Sequence, residues 1–340
     1  MHTPWAARLI PGAAIVGTSM LVLSSCTDDT VGPSRPAVTP PENVIIAAAS
    51  NTWATKKAMP TARFQLVAGT VNNIVYAIGG TNGTLTPFTT VQAYNPATNS
   101  WTTKASLPAG RRGLNGAATI GTRLYVAGGF NGAAALTRTL YVYDAPTNSW
   151  TKKADMPSAG GCGAEGVINN FLYVYVGCTS VPFGDKLFRY NPSTNTWTTV
   201  AAPPHQHAGG AAGVSMGKLY LAGGIDDGAT VNATLDVYTP ATNSWKTLAS
   251  MPSLRAGMAG RVVGGKLYAV GGSDNAGNTV GAVEAYDVAG NTWSAKAPMP
   301  TPRHDFGLAV ANGLLFAVGG AADDGMGNQV FLKTNQAFTP

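Results

Sequence analysis

Short apolar stretches separated by turn-forming residues fill the chain from residue 50 onward. Examples are FQLVAGTV at 64–71, IVYAIGG at 74–80 and TTVQAYNP at 89–96. Runs of this length, bounded by Asn, Gly or Pro, favour strands joined by tight turns. No stretch shows the apolar period of a helix. The pattern therefore predicts an all-β fold made of many short strands.

Three landmarks recur along these stretches at one spacing. The Trp residues after residue 50 lie at 53, 101, 150, 197, 245 and 293, so the spacing is 47 to 49 residues. A Gly pair or its equivalent ends the second stretch of each repeat, at 79–80, 128–129, 177–178, 223–224, 271–272 and 319–320. A Met-Pro type pair lies at 59–60, 107–108, 156–157, 203–204, 251–252 and 299–300. A period near 50 residues indicates a repeat architecture, and four-stranded propeller blades have this size.

The Gly pair after an apolar strand, the Tyr-Asp or Tyr-Asn that starts a turn, and the Trp at fixed spacing together resemble the kelch repeat. The resemblance covers nearly all of residues 50–340. It implies a six-bladed kelch-type β-propeller, because six Trp and six Gly landmarks recur.

The two ends of the repeat region complement each other. The chain ends with NQAFTP at 335–340, which aligns with VQAYNP at 91–96 and should continue as ATNSW. Residues 49–53, ASNTW, supply that continuation. We therefore predict that an N-terminal strand at 51–59 completes the last blade and closes the ring, which removes exposed sheet edges.

Residues 1–25 have the features of an export signal. Arg8 precedes an apolar segment, Leu9 to Leu23, and small residues follow it. The segment is short for a membrane span. We expect an exported protein.

Leu23-Ser24-Ser25-Cys26 resembles the lipobox of bacterial lipoproteins, in which the Cys becomes the lipidated first residue. An ordinary secretory signal is the alternative interpretation. The resemblance implies lipidation of Cys26, a Pro- and Thr-rich tether at 26–45 and a propeller domain at 46–340. It also implies a place in the bacterial cell envelope, anchored at the outer membrane by the lipid alone and facing the periplasm or the surface.

Cys162 and Cys178 fall on neighbouring antiparallel strands of the third repeat. Simple pairing puts them one residue out of register, so a disulfide needs a bulge, which Gly160, Gly161 and Gly163 make easy. We predict a disulfide in an oxidising exterior. Two buried thiols are the alternative.

Cationic residues precede the first strand of most repeats, where propeller loops surround the channel mouth. They are Arg63, Arg111, His207, Arg255 and Arg303, with Gly160 at the third position. As a ring they would bind an anionic ligand, because arginine offers bidentate donors to carboxylate or phosphate. The alternative is structural: such arginines tie blades together through backbone carbonyls.

Glu165 breaks a pattern of small inner-strand residues, since its equivalents are Ala68, Gly116, Ala212, Gly260 and Leu308. An acid facing the channel is a candidate general acid/base, or else the partner of a neighbouring Arg. Arg261 and Asp305 also interrupt the inner strands. The aspartates after the Gly pairs are expected to form polar turns, with sugar binding as the second possibility.

Composition and motifs exclude several functions. The formal charge is +6 with 11% charged residues and no Lys/Arg run, which argues against nucleic acid. His205 and His207 lack the further ligands of a metal site, and no phosphate loop, nucleophile elbow or HExxH occurs. We expect no metal and no cofactor.

A propeller does not fix a function. The sequence favours a monomeric binding module for a carbohydrate or protein partner at the cell surface. The alternative is a carbohydrate-active enzyme, because sialic-acid mutarotases are similar in being exported six-bladed kelch proteins that act on an anionic sugar.

Overall fold

The computed structural model describes residues 50–84, 86–179, 185–226, 229–324, 326 and 328–340. The predicted export signal, Cys26 and the predicted tether lie outside the described residues. All regular secondary structure in the described part is β-strand. No helix there is long and apolar enough to cross a membrane.

The described strands form six four-stranded sheets, which are the blades. Blade 1 contains β2 (Val67–Val71), β3 (Ile74–Ile78), β4 (Val91–Asn95) and β5 (Ser100–Thr103). Blade 2 contains β6 (Ala118–Ile120), β7 (Arg123–Ala127), β8 (Leu140–Asp144) and β9 (Ser149–Lys153). Blade 3 contains β10 (Ala164–Ile168), β11 (Phe171–Val176), β12 (Lys186–Asn191) and β13 (Thr196–Val200).

Blade 4 contains β14 (Ala211–Ser215), β15 (Lys218–Ile225), β16 (Val231–Thr239) and β17 (Ser244–Leu248). Blade 5 contains β19 (Ala259–Val263), β20 (Lys266–Val270), β22 (Val283–Asp287) and β23 (Thr292–Lys296). Blade 6 contains β24 (Gly307–Ala311), β25 (Leu314–Val318), β28 (Asn335–Thr339) and β1 (Thr52–Lys56). Two short pairs extend blades 5 and 6: β18 (Arg255–Ala256) with β21 (Ser273–Asp274), and β26 (Ala321–Asp323) with β27 (Gln329–Phe331).

The ring is closed by the N-terminal strand, as predicted. The last sheet has the order β1-β28-β25-β24, and the β1–β28 ladder runs from Thr52 opposite Thr339 to Lys56 opposite Asn335. The two ends of the repeat region thus meet inside one blade. The all-β, six-bladed prediction is confirmed.

The hydrophobic core consists of six clusters, and each cluster lies between two neighbouring blades. One, between blades 1 and 2, includes Ile78, Val91, Leu124 and Tyr143, all 0% exposed. The other clusters repeat this arrangement around the ring. No blade therefore has a core of its own, and each one is stabilised by its neighbours.

A repeated Asn-x-Trp turn, TNxW in four of the six blades, joins each blade to the previous one. In blade 4, the Asn243 Oδ1 accepts the Ala201 backbone N–H at 3.0 Å and the Tyr238 hydroxyl at 2.7 Å. Trp245 Nε1 donates to the Ala201 carbonyl at 2.8 Å. The equivalent Trp bond occurs in the other five blades. For example, Trp53 Nε1 donates to the Ala297 carbonyl and Trp293 Nε1 donates to the Ala249 carbonyl. The chain repeats this turn because each copy forms one inter-blade joint.

Asn is needed in this turn for its backbone as well as its side chain, since Asn243 has φ 46°. Asn243→Ala loses two hydrogen bonds and places a Cβ residue in the left-handed region. At about 1 kcal/mol for each bond and for the backbone, we expect a loss of about 3 kcal/mol. Urea unfolding monitored by Trp fluorescence measures it.

Asn51→Ala is the matched control for Asn243→Ala. Asn51 makes the same backbone bond, to the Ala297 N–H at 2.7 Å, but its blade carries Phe338 in place of the tyrosine. Asn51→Ala should therefore lower the free energy of unfolding by about 1 kcal/mol less than Asn243→Ala does. Equal losses in the two variants would contradict this account of the turn.

Candidate functional site

One end of the propeller gathers the loops that differ most between repeats; we call it the loop face. It is formed by the lead-in segments of the first strands and the loops after the Gly pairs. The lead-in segments are 61–66, 109–114, 158–163, 205–210, 253–258 and 301–306. Backbone bridges join the two sets, for example Phe64 with Thr81 and Arg112 with Phe130. The loops are thus held by a paired backbone.

A belt of six backbone hydrogen bonds surrounds the channel at the loop face. Each bond joins one blade to the previous one: Gln65 N to Asp305 O, Gly113 N to Gln65 O, Cys162 N to Gly113 O, Gly209 N to Cys162 O, Met258 N to Gly209 O and Asp305 N to Gly257 O. The N···O distances are 2.7 to 3.0 Å. Gln65, Cys162 and Asp305 adopt positive φ in this belt, and the other three blades use Gly there. Only those three blades therefore present a side chain at this level of the channel mouth.

Arg261 crosses the channel below the belt. It extends from blade 5 and donates to the Ala68 carbonyl of blade 1 at 2.8 Å and to the Gly260 carbonyl at 2.8 Å. Two cavities of about 130 and 260 Å³ lie along the channel, and both are lined by Glu165, Ala212 and Arg261. Burial lowers the pKa of Arg261 to about 10, so it stays a cation. The channel is therefore divided by a fixed positive charge.

Glu165 lines both cavities, but its carboxylate is bound by the neighbouring blade. The Ala127 backbone N–H of blade 2 donates to Glu165 Oε1 at 2.8 Å, and the Ala118 N–H also contributes. Gly116 leaves the space, since a Cβ there would meet the Glu165 Cβ at 3.0 Å. Burial raises the pKa of Glu165 to about 8, although these N–H groups and the Arg261 charge act to lower it. The geometry makes Glu165 a wedge between blades 2 and 3; its suggested catalytic role stays a prediction.

The Glu165 carboxyl should make stability depend on pH. Because its folded pKa of about 8 lies above the ordinary value, the folded state binds more protons, and stability falls as pH rises from 4.5 toward 8. Glu165→Gln keeps an acceptor for the Ala127 N–H and removes the charge. We expect the free energy of unfolding of this variant to exceed that of the wild type by about 2 to 4 kcal/mol at pH 8.5. At pH 5 the two proteins should be about equally stable. Chemical denaturation at both pH values measures this difference, and a pH-independent difference would contradict it.

The four lead-in arginines are buried. Arg63, Arg111, Arg255 and Arg303 have exposed fractions of 0%, 7%, 1% and 0%, and His207 is 2% exposed. None of them lines either channel cavity. Arg111 instead lines a third, more open cavity of about 430 Å³. Burial of the other four side chains favours the structural interpretation, and the ring of ligand-binding cations stays a prediction.

In blades 2, 4, 5 and 6 the cation ties the lead-in of the first strand to the third strand. In blade 1, Arg63 donates instead to the Ala77 carbonyl of the second strand at 3.0 Å. Arg255 donates to the Gly271 carbonyl at 2.6 Å and to Glu284 Oε2 at 2.8 Å. Arg303 donates to the side-chain oxygen of Gln336 in the same way. This is the structural alternative that the sequence left open, with the tie made inside each blade.

The third-strand partner changes with the lead-in residue. From blade 1 to blade 6 the partner position holds Gln92, Tyr141, Phe188, Asp236, Glu284 and Gln336. The blade with apolar Phe188 carries Gly160 in place of a cation, and a Cβ on Gly160 would meet Val176 Cγ1 at 1.9 Å. Arg111 lies 5.7 Å above the ring of Tyr141. A polar or aromatic third-strand residue thus accompanies a cationic lead-in residue, and the apolar Phe188 accompanies Gly160.

Blade 4 uses histidine in this clamp. His207 Nε2 lies 3.2 Å and His205 Nδ1 2.9 Å from Asp236 Oδ2, and Thr247 donates to the other carboxylate oxygen at 2.7 Å. Burial acts to raise the pKa of Asp236, but these hydrogen bonds outweigh it and hold the pKa below its usual value. In the described residues no group of three or more His, Cys, Asp or Glu side chains is arranged to hold a metal ion.

Cys162 and Cys178 are joined in a disulfide, with Cα atoms 5.3 Å apart. The register offset is absorbed by Cys162 itself, which has φ 51°, while Gly161 pairs with Cys178. The bond links the channel belt to the third Gly-pair position, where Cys178 stands in place of the second glycine.

The aspartates after the Gly pairs cap their own loops. Asp274 Oδ1 accepts the Ala276 and Asn278 backbone N–H groups at 2.9 Å each, and Oδ2 accepts the Asn278 side chain at 3.0 Å. Asp324 holds its loop through the same bonds to Met326 and Asn328. These bonds lower the pKa of both carboxyls, led by the Asn side chain in each case. The loops therefore carry fixed negative charge.

Exposed large apolar side chains concentrate on the loop face of blades 4 to 6. Among the described residues they are Met216, Ile225, Leu254, Met326 and Val330, with exposed fractions of 74%, 36%, 47%, 81% and 44%. Met216 lies in the β14–β15 turn at the opposite end of the propeller. The other four lie on the loop face, and together with Asp226, Asp274, Asp323 and Asp324 we call them the docking face.

The docking face is continuous across three blades. Ile225 ends β15, which contacts β18, and Leu254 precedes β18 directly. Strand β18 pairs with β21, which contains Asp274. Thr279 then donates to Asp323 Oδ2 of blade 6 at 2.6 Å. Exposed or partly exposed basic residues of these blades near this surface are His205, which pairs with Asp236, His304, which pairs with Asp305, and Lys333. The surface is thus apolar and predominantly acidic.

Comparisons with known proteins agree with the repeat landmarks. A family model described as the KLHDC2/KLHL20/DRC7 Kelch-repeats domain matches residues 166–337, and a model of the kelch motif matches 62–108 and 111–157. The chain belongs to the kelch-repeat family. A solved structure, "Structure of YjhT", aligns with this kelch propeller at a TM-score of 0.69 and 18% identity, over 81% of this chain and 95% of that one. At this identity the likeness shows the fold alone. The search of curated proteins found no match.

A second feature of the kelch propeller's loop face is an aromatic rim on blades 6, 1 and 2. Phe64 and Phe331 stack with ring centroids 4.9 Å apart. The Arg112 guanidinium lies 4.9 Å from the Phe130 ring and donates to Gln65 Oε1 at 2.9 Å. All five side chains are partly exposed. The rim and the docking face were both missed from the sequence, since their members occupy different positions in each repeat.

Proposed function

We propose that this kelch propeller is a protein-binding module that captures its partner on the docking face. The kelch propeller is a fold that supports protein binding. The observation that carries the proposal is the concentration of exposed apolar side chains on one continuous acidic surface. Apolar anchors inside a charged surround are typical of interaction surfaces.

The chemistry of the docking face indicates the kind of partner. Loop aspartates with lowered pKa values remain ionised near neutral pH and attract cationic side chains. Ile225, Leu254, Met326 and Val330 offer apolar contacts between them. A protein segment with Lys or Arg beside apolar residues complements this surface.

Selection from a randomised displayed-peptide library tests the proposal. We expect enrichment of basic peptides that contain apolar anchors. Their affinity should fall at least about tenfold for Met326→Asp or Val330→Asp, because a charge replaces a buried contact at the interface. Affinity should also fall with added salt.

Met216→Asp is the matched control, since Met216 is equally apolar and exposed but lies at the other end of the propeller. It should leave peptide affinity unchanged. Equal losses for Met216→Asp and Met326→Asp, or enriched peptides without net positive charge, would contradict the docking face.

A saccharide is the second candidate ligand, and the aromatic rim favours it. Phe64, Phe331 and Phe130 offer ring faces for the apolar side of a sugar, while Gln65 and Arg112 offer polar groups beside them. Arg112 would favour an acidic sugar.

Thermal-shift screening against acidic and neutral saccharides tests the rim. A ligand that binds only the folded state raises the melting temperature. Support requires a shift that Arg112→Gln abolishes and Arg123→Gln retains, since Arg123 lies at the β6–β7 turn far from the loop face. No shift across the panel at millimolar concentrations would end this candidate.

We also propose export and lipid anchoring through Cys26. Support comes from the lipobox-like Leu23-Ser24-Ser25-Cys26 and from the Cys162–Cys178 disulfide, a bond typical of oxidising compartments. Growth with an alkyne fatty acid in a bacterial host should label the wild type and not Cys26→Ala. Labelling of both proteins would contradict lipidation at this residue.

A further inference from the structure

The channel contains a pocket on the side away from the loop face. It is the channel cavity of about 260 Å³, and it lies where the first strand of each blade turns back into the second. We call it the turn-side pocket. Its wall includes the second-to-last residue of each first strand: Thr70, Thr119, Val167, Val214, Val262 and Val310. All six residues are partly exposed, so solvent reaches this wall.

The lining of the turn-side pocket is mainly apolar. Besides the two threonines it contains Gly, Ala and Val, together with two ionisable residues, Glu165 and Arg261. The Thr119 hydroxyl already donates to the Thr70 carbonyl at 2.7 Å. An apolar wall with few polar groups is typical of a small-molecule site, and the polar groups decide which molecule it accepts.

Arg261 brings a cation with unused donors to this pocket. Its Nη1 donates to the Gly260 carbonyl and its Nη2 to the Ala68 carbonyl, each at 2.8 Å. A guanidinium has five N–H donors, so three remain. Nε has no acceptor in the described part of the chain, and it is not one of the polar atoms that are sealed from solvent. Donors of Arg261 are therefore accessible from the channel.

Arg261 also lacks a partner of opposite charge at contact distance. The salt bridges among the described residues do not include it, whereas Arg255 pairs with Glu284 at 2.8 Å. Burial lowers the pKa of Arg261 to about 10, so the side chain stays charged near neutral pH. A carboxylate is the anion whose two oxygens match the parallel N–H groups of a guanidinium.

Glu165 is the residue of the lining that could oppose a carboxylate. Its Oε1 is occupied by the Ala127 backbone N–H at 2.8 Å. Burial raises the pKa of Glu165 to about 8. At pH 6.5 this carboxyl is therefore mainly protonated and repels a carboxylate ligand little.

We propose that the turn-side pocket binds a small monocarboxylate with an apolar tail. The carboxylate lies against the unused donors of Arg261, and the tail contacts the four valines of the wall. An inorganic anion would use the cation and leave the valine wall without a role. The pocket lies at the other end of the channel from the docking face and the aromatic rim, so the proposal does not rest on the proposed function.

Calorimetric titration of the full-length protein at pH 6.5 with sodium acetate and sodium butyrate tests the proposal. We expect butyrate to bind about tenfold more tightly than acetate, because two more CH₂ groups leave water. Sodium chloride at the same concentration should not displace butyrate. Equal affinities for acetate and butyrate, displacement by chloride, or no binding of butyrate at millimolar concentrations would each overturn the proposal.

Arg261→Met tests the cation, since it removes the charge and keeps an unbranched side chain. We expect it to abolish butyrate binding. Arg123→Gln is the matched control, because Arg123 lies at the same end of the propeller but does not line the pocket. It should keep the wild-type affinity. Loss in both variants, or in neither, would contradict a carboxylate site on Arg261.

The double variant Val167→Thr/Val214→Thr tests the wall. Threonine keeps the shape of valine and adds a hydroxyl, and both positions are partly exposed. Butyrate affinity should fall severalfold, while acetate affinity should change little. An equal loss for the two ligands would refute the contact between the tail and the wall.

Methyl NMR of the wild type decides the question even if Arg261→Met does not fold. Butyrate should shift the methyl signals of Val167, Val214, Val262 and Val310. The signal of Val75, which is 0% exposed in the core, should stay in place. Shifts confined to valines outside the pocket would overturn the proposal.

The docking-face variant Met326→Asp separates this site from the proposed function. It should reduce peptide affinity and leave butyrate affinity unchanged. If no peptide binds the propeller, the proposed function fails while the butyrate titration still decides the turn-side pocket. Loss of butyrate binding in Met326→Asp would contradict a separate site.

Discussion

Deletion of residues 50–60 is expected to prevent the chain from folding. The deletion removes β1, so β28 loses its ladder from Thr52 to Lys56 and becomes an open sheet edge. It also removes Met59, which is 1% exposed, and Trp53, which packs on Phe338 and bonds Ala297. Because each core cluster is shared by two blades, the loss disrupts both interfaces of blade 6. The expected cost is comparable with the whole stability of a domain, about 5–15 kcal/mol.

Circular dichroism and size-exclusion chromatography of the purified variant provide the measurement. We expect aggregation or an unfolded chain without a cooperative transition. Deletion of residues 27–45, which precede β1, is the control and should leave the melting temperature unchanged. A soluble, cooperatively unfolding protein without residues 50–60 would contradict the ring closure.

Arg255→Met is expected to be the most costly single substitution of the clamps. It leaves Glu284, whose side chain is 9% exposed, without its cation. Breaking a buried pair from one side costs about 3–5 kcal/mol, because an uncompensated charge stays buried. Urea unfolding at pH 7 measures the loss.

The double variant Arg255→Met/Glu284→Met separates a clamp from a ligand site. Removing both charges should recover most of the stability, since a buried ion pair often exchanges with apolar residues at little net cost. Peptide affinity should stay at the wild-type level in the double variant if it folds. Additive losses of stability for the two substitutions would contradict the clamp.

The repeat, the six blades and the ring closure could be predicted because they are properties of spacing. Each Asn-x-Trp turn makes the same bonds to the backbone of the previous blade, so selection for this joint retains the same Asn and Trp in all six blades. The closure followed from complementary ends, NQAFTP and ASNTW. Such spacing can be detected in the sequence without knowing where any side chain points.

The depth of the lead-in arginines could not be predicted from their spacing. A cation near a channel mouth points to the lumen or into its own blade, and the repeat pattern is the same for both. A usable signal was the third-strand position, where Phe188 accompanies Gly160 and Glu284 accompanies Arg255. Matching polarity between two positions within each repeat indicates that they contact each other.

The docking face gave no repeat signal. Ile225 and Leu254 lie in different blades and at different repeat positions. Met326 lies in the segment after the sixth Gly pair, whose length differs from that of the equivalent segments in other repeats. Their common surface exists only after β18 has paired with β21 and Thr279 has bound Asp323. Such a surface depends on tertiary structure, and the sequence alone predicted its aspartates as polar turns, with sugar binding as the second possibility.

Hydrogen exchange with mass spectrometry, on the propeller with and without a bound basic peptide, tests the docking face most directly. We predict slower exchange at 223–226, 253–256, 273–279 and 321–324 on peptide binding, with the β14–β15 turn at Met216 unchanged. Protection confined to the outer strands or to the turns at the opposite end would contradict a docking face on blades 4 to 6.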